Sequence, residues 1–175
     1  MASTSAVDRQ YEESRAALDA IPENQPSLRS SASDLFRKSL LLAAASYFEH
    51  RLTTCVLDYV NELVQGAPKI VALVQAKVIS RQYHTWFQWD ASNANAFFGL
   101  FGKDFKDAMT AKVKGDVGLE RSIKSFLELG GNRNSMVHVD FSTYPLDKTL
   151  DEIYESYKTA LHFVDGLADL LRRHP

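Results

Sequence analysis

The chain has 175 residues, of which 45% are hydrophobic and 24% charged, and carries a formal charge of -2. That length suits one compact domain with a sizeable core. The slightly acidic balance argues against a general nucleic-acid coat protein, so any RNA must meet a local basic patch. A single cysteine, Cys55, excludes an internal disulfide framework and fits a reducing cytosol. Met1 to Gln10 hold no apolar leader, and the longest apolar run, Leu40 to Ala45, is too short to span a bilayer. A cytoplasmic protein with no membrane partner is expected.

Asp8 to Ala20 reads as a short, weakly amphipathic helix, ended by Pro22 and Pro26. Ser33 is then expected as the N-cap of the longest helix, reaching about Gln65. Its apolar positions include Leu41, Phe48, Leu52, Val56, Tyr59 and Leu63, at three-four spacing. Gly66-Ala67-Pro68 stops it. Lys69 to Ser80 is a shorter helix pattern, whose Val and Ile content leaves a strand open. Tyr83 to Gly102 reads as an irregular, aromatic-rich connection with room for one helical turn. Lys103 to Val113 is a polar helix, Gly115 to Gly118 a break, and Leu119 to Leu129 a further helix, with Gly130-Gly131 interrupting it. After the loop Ser142-Thr143-Tyr144-Pro145, Thr149-x-x-Glu152 marks a capping box for the last helix, which runs to Arg173. The pattern predicts an all-α fold, an antiparallel helical bundle with one aromatic insert. One domain covers 1–175, with 1–29 an N-terminal helix and proline-containing linker and 30–173 the bundle core.

Most familiar chemistries find no motif here. The five histidines, His50, His84, His138, His162 and His174, form no HExxH, HxxxH or Cys/His cluster, so neither a metal nor another cofactor is expected. There is no GxxxxGK[ST], GxGxxG or GxSxG. What remains is Arg133-Asn134-x-x-x-His138. Histidine titrates near neutrality and can act as base or acid, while Arg133 stays protonated and can clasp two phosphate oxygens. On a regular helix Asn134 and His138 share a face. Arg133 and His138 diverge by roughly 140°. Gly130-Gly131 offers the freedom to bring them together.

This segment resembles the R-x(4–6)-H signature of HEPN ribonuclease domains, including the Asn that follows the Arg in many of them. The resemblance covers roughly Ser30 to Arg173. It extends to a long early helix with an internal acidic residue, here Glu49, and to a final helix after the signature. The stand-alone bacterial type, similar to the RiboL-PSP subgroup, is the nearest kin. The resemblance implies a metal-independent endoribonuclease that cuts single-stranded or loop RNA to 2′,3′-cyclic phosphate ends. Arg133, Asn134 and His138 would form a composite site across a homodimer axis. It also implies a toxin or antiphage role, with an antitoxin or sensor protein as a further partner. The alternative is a non-catalytic HEPN-like module that binds a nucleotide or partner and dimerises.

Glu49 lies beside the apolar stripe of its helix, where a carboxylate needs a partner. Arg133 is the functional choice, and water, Arg51 or Lys38 the ordinary ones. Tyr144 and Lys124 are candidate substrate contacts. A basic stretch from Lys103 to Lys124 leads toward the signature, but Asp104, Asp107, Asp116 and Glu120 dilute it. The rings of Trp86, Phe87, Trp89, Phe97, Phe98, Phe101 and Phe105 could stack bases. Filling space beneath the long helices or at a dimer seam is the favoured reading.

Overall fold

The computed structural model describes residues 5–173. Residues 1–4 and 174–175, on which His174 and part of the leader reading fall, lie outside them. Seven α-helices follow in order: α1 (Ala6–Asp19), α2 (Pro26–Leu63), α3 (Pro68–Val74), α4 (Asn95–Gly99), α5 (Lys103–Gly115), α6 (Val117–His138) and α7 (Leu150–Arg173). α3 runs on as a π turn (Gln75–Ile79), and Tyr83–Thr85 make one 3-10 turn. No strand occurs among the described residues, so the strand option for Lys69 to Ser80 falls away.

The core is the seam where α2, α6 and α7 meet. Phe48, Phe126 and Phe163, one ring from each, pack with centroids 5.6 and 5.4 Å apart. Leu41, Ala44, Ile123, Ala160 and Leu167 fill in around them, fully buried. Side-chain pairs fix the directions. Arg51 meets Asp165 and Glu62 meets Arg172, so α2 and α7 run parallel. Buried Ser122 of α6 donates to Ala160 O and accepts from Phe163 N, tying α6 to α7. Glu128 meets Lys148 further down, so α6 runs antiparallel to α7. α1 also runs antiparallel to α7, with Tyr11 stacked on Tyr154 at 3.8 Å and Ser5 Oγ 2.9 Å from Tyr157 Oη.

Three expected boundaries move. α2 starts at Pro26, not at Ser33, because a proline at the first helical position gives up only an N–H that would have no partner there. The 38 residues of α2 therefore extend about 57 Å. α6 begins at Val117, with the Asp116 side chain accepting from Leu119 N. Most consequential, Gly130-Gly131 does not interrupt α6, which runs unbroken through to His138. A Cβ on Gly130 would lie 2.0 Å from Cζ3 of Trp89. The glycines serve close packing of the indole rather than backbone freedom. α7 starts after Thr149, whose backbone and hydroxyl both engage Glu152, as the capping-box pattern predicts.

Candidate functional site

The C-terminal two turns of α6 project the signature from a regular helix. Arg133 and Asn134 are half-buried, and His138 is exposed as the last helical residue. Arg133 Nη1 donates to Asn134 Oδ1 at 3.0 Å, so the amide next door orients the guanidinium. Arg133, Asn134 and His138, together with Glu49 from α2, line one cavity of about 400 Å³. Arg133 and His138 thus border the same cavity although they diverge around the helix. A guanidinium on a long, flexible stem sits well away from the direction of its own Cα.

The rest of that cavity comes from the insert. Arg81, Tyr83, His84 and Trp89 line it together with Gly130, which lies against the Trp89 ring. Tyr83 is buried and packs its ring against Trp86, Phe87 and Trp89 at 5.7–6.0 Å. Burial, and then the Glu49 carboxylate, push its phenol far above the ordinary range, while Arg133 acts in the opposite direction. The opposite charges of Glu49 and Arg133 thus converge on one ring. A second, more open cavity of about 600 Å³ lies along α6, where Gln88, Asp90, Asn132 and Ser135 join Asn134 and His138. Trp89 borders both cavities.

Glu49 pairs with none of its three expected partners. Arg133 donates to Asn134, Arg51 meets Asp165 at 2.9 Å, and Lys38 meets Asp34 at 2.8 Å. Its carboxylate therefore faces the cavity without an ion pair among the described residues. Lys38 has a different task. Only 2% exposed, it donates from Nζ to the carbonyls of Phe141 and Ser142, fixing the loop that leaves His138. Arg37 holds the same loop further on, through Leu146 O.

Tyr144 lines neither cavity; its hydroxyl donates to Asn132 Oδ1 at 3.1 Å and pins the loop to α6. Lys124 is exposed, pairs with Glu120 one turn back at 2.7 Å, and also lies outside both cavities. The insert's rings are packing elements first. Trp86, Phe87, Phe97 and Phe98 are buried in the core; Trp89 reaches both cavities, and Phe87 borders the more open one. Arg81 and His84 are the residues that sequence reasoning did not single out for chemistry. The one signal for them was a polar, ionisable pair embedded in a dense aromatic run.

No group of three or more His, Cys, Asp or Glu side chains suited to a metal occurs among the described residues. No described helix is long and apolar enough to cross a membrane. A family model described as RiboL-PSP-HEPN matches residues 9–173. No curated protein and no solved structure matches the chain significantly.

Proposed function

The chain belongs to the RiboL-PSP-HEPN family, and from that premise we propose that it is an endoribonuclease acting through Arg133, Asn134 and His138. The observation that carries the reading is that Arg133, Asn134 and His138 line one cavity. Cleavage follows from these groups. The 2′-hydroxyl attacks the adjacent phosphorus, the bond to O5′ breaks, and a 2′,3′-cyclic phosphate and a 5′-hydroxyl result. Arg133 faces the charge that grows on the phosphate oxygens and Asn134 holds it in place. His138 exchanges a proton with either the attacking or the leaving oxygen. This scheme draws on side chains alone.

A second acid–base group is required, and the resemblance to HEPN nucleases takes it from a second copy across a two-fold axis. Pairing is supported by the apolar side chains around His138. Val137, Val139 and Phe141 are 47%, 55% and 38% exposed. A homodimer through this end would cover them and enclose the cavity.

The test is incubation of the protein with total and transfer RNA in EDTA, followed by mapping of the cut ends. Cyclic phosphates are expected from the wild type, and His138→Ala should slow cleavage by about 10²–10⁴. A folded wild-type protein that leaves every RNA intact would sink the proposal and leave a binding module.

A further inference from the structure

The loop that leaves His138 has almost no core of its own. From Val139 to Thr149 only Leu146 is buried, and the stretch next to His138, Val139 to Tyr144, has no buried residue. Apolar packing therefore does not place this stretch, and polar contacts from α2 do much of the work. Lys38, only 2% exposed, donates from Nζ to Phe141 O at 2.9 Å and Ser142 O at 3.3 Å, and meets Asp34 Oδ2 at 2.8 Å. An ammonium has three protons, and here each has an acceptor. Arg37 shares the Asp34 carboxylate through Nη2 and holds Leu146 O through Nη1. The Lys38 ammonium also lies 5.4 Å from the centre of the Phe141 ring. Phe141 is thus gripped by its carbonyl and its ring together, yet its side chain stays 38% exposed.

We propose that Lys38 is a positioning residue for the pairing of two chains: it holds Phe141 and the loop around it in the pose on which a second copy seats beside His138. This rests on the composite-site reading above. Burying an ammonium is costly, and an apolar side chain of similar volume often packs as well, so the charge at 38 is explained by the loop it directs. An aromatic ring already fixed in place loses little further freedom when a partner covers it. Rings of this kind carry a large share of interface energy. Across a two-fold axis the same face meets itself, so each dimer contains two such clamps and a defect in one chain counts twice. Lys38 touches no substrate; it acts on cleavage through the second copy.

The test is the cleavage rate per chain across a range of protein concentrations, with sedimentation of the same samples. In the wild type the two midpoints should coincide. Lys38→Met should raise both by about tenfold or more, while the rate at saturating protein stays within a few-fold of wild type. Phe141→Ala should give the same pattern, and the double variant should be no worse than the poorer single, because both changes remove one interaction. Tyr11→Phe, which loses its bond to Asp151 in the N-terminal helix, should lower Tm and leave both midpoints unmoved. If Lys38→Met does not fold, Asp34→Asn replaces it, since that carboxylate lies on the solvent side of the clamp, and the same direction of shift is expected. Unmoved midpoints in the folded variant, a rate still lost at saturating protein, or full additivity with Phe141→Ala would each overturn the assignment. A wild type that cuts RNA as a dimer while the variants keep its midpoints brings down the Lys38 role alone. A wild type that stays monomeric brings down the composite site as well. If it pairs but cuts nothing, the ribonuclease reading falls and sedimentation alone decides the role of Lys38.

Discussion

On one side of the cavity, Arg133, Asn134 and His138 descend from a helix whose own backbone hydrogen bonds set their directions. On the other, Arg81 and His84 hang from a π turn, a left-handed residue and a 3-10 turn, none of which is self-sustaining. The helical wall holds the proposed catalytic side chains on a frame of backbone hydrogen bonds. The insert wall depends on contacts elsewhere, above all on Trp89 lying against Gly130. Substitutions should therefore behave differently on the two sides, changing rate alone at Arg133 and His138 and rate together with stability where α6 meets the insert.

His138→Ala should show the largest effect, about 10²–10⁴ in cleavage rate, with an unchanged melting temperature because the side chain is exposed. A large fall in Tm would break the contrast. Arg133→Ala should follow, at about 10²–10³, again with little change in Tm. Gly130→Ala reaches the other wall without touching a reactive group. Its Cβ would fall inside the Trp89 ring, and overpacking of this kind costs about 1–3 kcal/mol. Thermal melts should register that loss, and cleavage should weaken as Trp89 shifts where it borders both cavities. Full activity in a destabilised Gly130→Ala would separate the insert from the chemistry. The smallest effect is expected from Thr149→Ala, which belongs to neither wall. Loss of the cap should lower Tm by about 2–4 °C and leave cleavage untouched. Thr149 holds the Glu152 carboxyl below its usual range. That contribution is present above the unfolded carboxyl pKa and fades as pH falls through the lower folded value. Acid titration should therefore narrow the difference between wild type and variant at low pH without closing it, since the Glu152 N–H bond to the Thr149 hydroxyl does not need the carboxylate.

The helical wall was readable in the sequence because its signals are local. The Arg-Asn-x-x-x-His spacing, the Thr149 capping box and the three-four pattern of α2 each lie within a few turns of one helix. Gly130-Gly131 misled for the same reason. Glycine costs about 1 kcal/mol in a helix interior, and nothing nearby in sequence announces the indole that offsets it. Ser33 looked like a cap for lack of any sign that about two further, mostly polar turns from Pro26 would be helical. Arg81 and His84 carried no local signal, because their place on the same cavity as His138 depends on a fold that bridges more than 50 positions. Glu49 lines the cavity with Arg133, but without the ion pair expected between them, since Arg133 donates to Asn134 instead.

The placement of Trp89 has an optical consequence. The chain has two tryptophans, and Trp86 is only 2% exposed, away from either cavity. Trp89 stands where both cavities meet, with its ring partly open to solvent. Its fluorescence is thus a built-in gauge of occupancy, with Trp86 as the steady background. A nucleotide stacking beside it should quench or shift the emission, and Trp89→Phe should erase the signal. Binding can then be followed in the unlabelled protein, including in inactive variants where no product forms.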